Sequence, residues 1–551
     1  MSPAPSSAAP AQAFAPLQGG QRLLGTVAVS LATFMVVLDS SIANVSLPAI
    51  AGNLGVSPAQ GTWVITSFGV ANAISLPLTG WLTRRFGQVR LFVSSLLLFV
   101  LASWLCGLAP NIESLIACRV LQGLVSGPMF PLSQTLLLAS YPSSMAGSAM
   151  AVWGMTTLVA PVTGPLLGGW ITDNIGWPWI FYINIPIGLL ASAVAWSIYR
   201  TRDPGPSRVR LDGVGLGLLV LWVGSLQIVI DKGKELDWFG SPLIVTLALL
   251  SLVSFAFFLA WELTDSQPIV DLRLFARRNF TVGTLTLALG YGLFMGNVVL
   301  LPLWLQQWMG YTASWAGAAM APVGLLAIML SPWVGRNVAR LDARGLAMLS
   351  FIGIGGVLWM RSQFNLQSTY STIALTTLLQ GAAMALYFIP LQAIIISGLR
   401  PDQLPAAAGL STFMRITAGA LGTSIFTTLW DSRAAQHRAR LAEAVQVGNP
   451  ATDQALVQLQ DIGLGGEQAQ ATLSRLIDQQ AFTLAADDLF RFSAALFVLL
   501  GAMVWWARPR PAADPAKALG PSAAAGEPVG LAPAGADGST GDGGLGRLSA
   551  R

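Results

Sequence analysis

The 551-residue chain is 54% hydrophobic and only 10% charged, with a mean hydropathy of +0.63, whereas soluble globular proteins carry roughly 25% charged residues. That balance excludes an ordinary soluble enzyme and points to a polytopic membrane protein. The net charge of +5 does not indicate a nucleic-acid partner, because the arginines fall in short loops between apolar runs, where they set topology. A span needs about 20 apolar residues to cross roughly 30 Å of hydrocarbon. Helices are expected, because the alternating pattern of membrane barrel strands is absent.

In chain order the apolar runs predict fourteen spans, over residues 22–46, 59–80, 91–108, 114–137, 146–170, 180–199, 212–230, 242–262, 280–301, 313–334, 346–361, 371–397, 406–429 and 489–507. The first run is too long for a signal-peptide core and reads as an uncleaved span. Arg84, Arg85 and Arg90 share a loop; Arg200, Arg202, Arg208 and Arg210 share another; Arg273, Arg277 and Arg278 a third; Arg336, Arg340 and Arg344 a fourth. All four loops fall on one face, which the positive-inside rule makes cytoplasmic, and an even span count puts both termini there. The layout predicts an all-α membrane protein: a cytoplasmic N-terminal tail at 1–21, a six-helix bundle at 22–200, two inserted helices at 211–263, and a second six-helix bundle at 280–507. Residues 508–551, rich in Ala, Gly and Pro, read as a disordered cytoplasmic tail.

An outer insert at 430–488 is polar, with Leu473, Leu476 and Ile477 at helical spacing. It reads equally well as a cap over a transporter mouth and as a docking surface for another protein. The halves echo each other: VLQG at 120–123 and LLQG at 378–381 place Gln122 and Gln380 258 positions apart. Parallel halves with a site between them at mid-depth are a transporter architecture.

Polar residues inside spans are the functional candidates, since a carboxylate at the bilayer centre costs on the order of 2.5–3.5 kcal/mol on insertion scales. Asp39 interrupts FMVVLDSSIANVSLP, and Arg119 lies in the fourth span. At about 1.5 Å per residue they sit about 10 Å and 8 Å from the outer ends of their spans, so they can meet. Such a pair is either a permanent lock between helices or a coupling site, where a change in the contact switches proton affinity. Thr377 stands at the repeat-equivalent position of Arg119, which confines the charged site to one half. Asn44, Gln122, Asn297, Gln306, Gln380 and Arg415 are candidates for a substrate cavity. Gly164, Pro165, Gly168 and Gly169, within GPLLGG, allow close helix approach and bending, and with Gly80, Arg85, Gly87 and Arg90 are candidates for gating, with packing or topology the plainer readings. His437, the sole histidine, reads as a residue of the outer insert rather than a proton carrier. Cys106 and Cys118 match no metal-ligand spacing and read as packing residues; no metal or other cofactor is expected.

Five motifs carry a family resemblance: LDSSIANVSLP at 38–48, GWLTRRFGQVR at 80–90, RVLQG at 119–123, APVTGPLLGGW at 160–170 and LQIVIDKGKELDWF at 226–239. In this order the chain resembles the major facilitator superfamily, in its fourteen-span drug:proton antiporter branch of the EmrB/QacA type. The resemblance implies a proton-coupled exporter of small hydrophobic drugs or toxic compounds across a Gram-negative inner membrane. It further implies a periplasmic membrane-fusion adaptor and an outer-membrane channel as partners in a tripartite pump; the alternative is a dedicated exporter of one metabolite or antibiotic. Arg84 stands where the superfamily loop usually has an acidic residue, so that loop's charge relay does not carry over unchanged. No phosphate loop, H-E-x-x-H or nucleophile elbow supports an enzyme.

Overall fold

Hydrocarbon offers backbone N–H and C=O groups no partner, so runs of this composition satisfy them as helix, and the structure, a computed structural model, is helical along nearly its whole described length. It describes residues 15–508 apart from 57, 143–144, 204–211, 266–267, 312, 339, 446–448 and 462–463. The expected tails, save residues 15–21 and Arg508, lie outside the described residues, as do Arg208 and Arg210.

The first bundle comprises α1 (Gly19–Asn53), α2 (Pro58–Gly61), α3 (Trp63–Ser75), α4 (Thr79–Phe86), α5 (Gln88–Gly107), α6 (Ile112–Ser126), α7 (Met129–Ser140), α8 (Ala146–Asn174), α9 (Trp179–Tyr182) and α10 (Asn184–Tyr199). Two inserted helices follow, α11 (Gly213–Lys232) and α12 (Pro242–Thr264). The second bundle comprises α13 (Arg278–Gln307), α14 (Ala313–Met320), α15 (Pro322–Asn337), α16 (Ala343–Arg361), α17 (Tyr370–Ile396), α18 (Leu404–Ala444), α19 (Pro450–Asp461) and α20 (Gly466–Val504).

Among the described residues, 10 helices are long and apolar enough to cross a membrane, or up to 11 when α3 and α4, bent by 64° at Leu76–Leu78, count as one. The helices α8, α18 and α20, 29, 41 and 39 residues long, lie over the other expected spans without meeting that criterion. The fourteen expected spans are therefore not all recovered by length and composition.

Helix α1 packs on α7, α8 and α10, and α13 packs on α17, α18 and α20, so α1 and α13 hold corresponding places in the two bundles. The bundles meet closely toward the Arg-rich face. A Cβ on Gly147 of α8 would lie 2.9 Å from the Gly335 carbonyl carbon of α15, and one on Gly80 of α4 would lie 2.6 Å from Ala406 Cβ of α18. A side chain larger than a hydrogen atom does not fit at either glycine without a shift of its neighbour.

The insert at 430–488 is continuous with helices of the second bundle. Helix α18 runs on past Trp430 to Ala444, α20 starts at Gly466, and their polar arms are tied by Arg438 to Asp478 at 2.8 Å and by His437 to Asp488 at 2.8 Å. With α19 they enclose a groove of about 400 Å³ whose wall includes Leu456, Leu473 and Ile477.

Candidate functional site

Helices α1, α5, α6 and α10 bring their polar residues to one point inside the first bundle. Asp39 Oδ2 accepts from Arg119 Nη1 at 2.6 Å, and its Oδ1 accepts from Gln122 Nε2 at 3.0 Å and Asn184 Nδ2 at 2.8 Å. Arg119 also donates to Gln122 Oε1 at 2.6 Å and to the Val64 carbonyl at 3.1 Å, with the Phe68 ring 4.2 Å from its guanidinium carbon. Ser103 Oγ on α5 accepts from Gln122 at 2.8 Å, and Cys106 Sγ lies 3.6 Å from Gln122 Oε1. Asp39 and Arg119 are each 1% exposed, so the carboxylate faces the bundle interior rather than lipid. Arg119 and Gln122 share a helix face because residues three apart are neighbours on α6. A proton arriving on Asp39 would place a donor on one of its two accepting oxygens and cancel the ion pair.

The second bundle carries other residue types at the equivalent positions. At the 258-residue offset Asp39 corresponds to Asn297, Ser103 to Arg361, Arg119 to Thr377 and Gln122 to Gln380. Arg361, fully buried, donates to Gln380 Oε1 at 2.8 Å and to the hydroxyls of Thr376 and Thr377 at 3.3 Å. Asn297 donates to Ser493 Oγ at 3.0 Å. The expectation that the charged site belongs to one half only is thereby corrected for the cation: a guanidinium stands on the neighbouring helix, while the carboxylate is replaced by its neutral amide counterpart.

The halves also touch through equivalent residues. Gln134 Nε2 donates to Gln392 Oε1 at 2.9 Å, and these two are themselves 258 positions apart. Arg415, on α18, lies over the rings of Tyr291, Phe130 and Phe388 at 4.6, 5.3 and 5.7 Å. Of the other cavity candidates, Gln306 is exposed near the end of α13, and the side chain of Asn44 lies outside the described residues.

Two buried polar clusters with repeat-equivalent positions, in paired helical bundles, match what comparison with known proteins finds. Residues 29–423 match the Major Facilitator Superfamily. This chain belongs to that superfamily. It is 49% identical over 90% of its length to 97% of the Multidrug export protein EmrB of Escherichia coli (strain K12). It is likewise 49% identical, over 91% of its length and 98% of the relative, to the Multidrug export protein EmrB of Haemophilus influenzae. The solved structure of the proton:xylose symporter XylE superposes with a TM-score of 0.54 at 14% identity, covering 88% of this chain and 95% of that one, which speaks for the fold alone.

In this major facilitator chain the gating candidates separate. A Cβ on Gly164 would lie 2.5 Å from Ser41 Cβ, and one on Gly168 would lie 3.0 Å from Ile42, so α8 rides on α1 within a turn of Asp39; a Cβ on Gly169 would meet nothing within 4 Å. The side chain of Pro165 lies outside the described residues. Gly87 has φ +87°, a backbone that side chains rarely tolerate, and sits against the Asp203 carboxylate. Asp203 accepts from the backbone N–H groups of Gln88 at 3.1 Å and Arg90 at 3.2 Å, satisfying first-turn donors of α5. Arg90 lies 3.9 Å from the same carboxylate, and Arg85 is exposed.

Sequence reasoning missed Asn184, Ser103, Arg361 and Asp203. For Asn184 the one signal is that of Gln122, a lone amide in an apolar span. Among the described residues no group of three His, Cys, Asp or Glu could hold a metal ion, and both cysteines are free.

Proposed function

We propose that this chain is a proton-coupled antiporter that exports small hydrophobic drugs or toxic compounds, serving as the inner-membrane component of a tripartite pump. The single observation behind the coupling is the buried Asp39–Arg119 pair, held by Gln122 and Asn184, in a chain nearly half identical to proteins named multidrug exporters. The reading is of transport without a chemical step. Each proton moving down about 100 mV supplies about 2.3 kcal/mol, enough to support a useful gradient of an uncharged compound.

In this reading α8, α18 and α20 complete fourteen spans, the Arg-rich face and both termini are cytoplasmic, and residues 22–200 and 280–507 are the bundles that rock about the inserted pair at 211–263. The glycine contacts at the Arg-rich face then mark an outward-facing arrangement, closed toward the cytoplasm. The insert at 430–488, two helical arms standing off the outer ends of α18 and α20, is the docking surface for a periplasmic adaptor that leads to an outer-membrane channel.

Asp39→Asn tests the coupling. The variant is expected to insert and purify like the parent and to lose substrate-driven proton movement in proteoliposomes carrying a pH dye. Persistence of that movement in Asp39→Asn would remove Asp39 from the coupling step.

A further inference from the structure

We propose that the turn at 233–241, between the two inserted helices, is a strap that holds the outward-facing arrangement, with Lys234 and Trp238 as the positioning residues that fasten it to α18. This rests on the reading of two rocking bundles and goes beyond it by giving a task to the motif at 226–239.

The outer end of α11 touches both bundles. Toward the first, the buried Lys232 bonds to the hydroxyl of Thr62 and stands 5.5 Å from the Trp63 ring, while Asp231 accepts from Thr66 on α3. Toward the second, Ser424 Oγ donates to the Ile230 carbonyl at 3.0 Å, Trp238 Nε1 donates to Thr428 Oγ1 at 3.1 Å, and Lys234 Nζ lies 2.9 Å from Asp431 Oδ2. Bonds of this length do not survive a displacement of several ångströms, so bundles that move past one another at this face have to break one set. The set on α18 is the weaker. It consists of two neutral hydrogen bonds and an ion pair whose side chains are 44% and 50% exposed, against a buried ammonium and the packing of α11 along α3. The strap therefore travels with the first bundle and lets go of α18.

The turn is stiff. Asp237 and Trp238, with φ of +60° and +45°, are the non-glycine residues in the left-handed region among those described. A bulky ring there is costly, and such strain persists only where the surroundings over-determine it. Here the Trp238 N–H donates to the Gly233 carbonyl at 2.7 Å and the Gly240 N–H to the Asp237 carbonyl at 2.9 Å. The indole also lies flat against Gly233, where a Cβ would come within 2.6 Å of the ring. The conformation aims the indole N–H at Thr428. In the same structure the bundles touch at the Arg-rich face, through Gly147 of α8 and Gly335 of α15. The strap is thus fastened while the inner face is closed, and its release is a step in opening toward the cytoplasm.

The test reads the inner face with a thiol. Val338 is 8% exposed and packs against Gly147, so Val338→Cys meets a water-soluble maleimide only when α8 and α15 part. The full-length Val338→Cys protein is labelled in a non-ionic maltoside detergent, with the parent giving the background of Cys106 and Cys118. Adding Trp238→Ala is expected to raise the labelling rate about fivefold, the equivalent of one net hydrogen bond. Lys234→Glu, which sets two carboxylates opposite one another, is expected to raise it as well. Lys234→Glu together with Asp431→Lys restores the pair in reverse and is expected to bring the rate back toward the starting value, which a role in local packing alone would not do. Unchanged rates in both Trp238→Ala and Lys234→Glu overturn the strap, as does a reversed pair that labels as fast as Lys234→Glu. Gly147→Leu forces the inner face apart independently; if it speeds labelling while neither strap variant does, the strap fails and the reading of two arrangements stands.

Discussion

Replacing Arg119 by glutamine would leave Asp39 as a buried carboxylate without its counter-charge. The lost groups are the 2.6 Å ion pair, the 2.6 Å bond to Gln122 and the 3.1 Å bond to the Val64 carbonyl. With both partners 1% exposed, water cannot take over, and breaking a buried pair from one side typically costs about 3–5 kcal/mol. Asp39→Asn leaves Arg119 without its counter-charge in turn, but the guanidinium keeps its bonds to Gln122 and the Val64 carbonyl and its place beside Phe68, so the cost is expected to be smaller. The double variant removes both charges, so no uncompensated ion remains, and it is expected to be more stable than Arg119→Gln by about 2 kcal/mol, within the usual range of coupling energies for residues in contact. The four proteins of this cycle would be compared by titration with dodecyl sulfate in mixed micelles, following tryptophan fluorescence. Effects that add within about 0.5 kcal/mol would refute the reasoning, because additivity is the behaviour of sites that do not interact. Coupled antiport is expected to be absent from all three variants, so the restored stability of the double would separate the structural share of the pair from its proposed role.

Two further outcomes are expected. Gly164→Leu places side-chain atoms where a Cβ already stands 2.5 Å from Ser41 Cβ. Overpacking of this kind typically costs about 1–3 kcal/mol, and both melting temperature and drug efflux should fall; Gly169→Leu, with nothing within 4 Å, should change stability by no more than about 0.5 kcal/mol. Deleting residues 435–480 removes the paired arms while sparing Trp430 and Phe482, whose rings pack 5.1 Å apart at their base. Drug binding is then expected to persist in detergent while cross-linking to a periplasmic adaptor is lost, and undiminished cross-linking would show that the insert is not the docking surface.

Several features are legible in the amino acids themselves. Helical spans follow from composition, because a backbone in hydrocarbon has to bond within itself. Asp39, Arg119 and Gln122 stand out because a charge or amide in an apolar run is costly enough to need a reason, and their depths along the two spans allow the contact at 2.6 Å. The spacing of Gln122 and Gln380 carries the two-fold repeat, and the bond between Gln134 and Gln392 marks its axis. Ser103 is hidden, since single small hydroxyls are ordinary in such helices, and Asn184, an amide in an apolar run like Gln122, shows nothing in its own sequence of which partner it will face. Thr377 suggests that the charged site has no counterpart in the second half; only the packing of α16 against α17 places Arg361 on Gln380. Asp203 completes the α5 terminus from a loop more than a hundred positions away, and the isolation of Arg415 among three rings depends on helices from both bundles. Burial cost is local and therefore written in the sequence, whereas the choice of partner is a property of helix faces brought together from distant parts of the chain, and tertiary structure alone decides it.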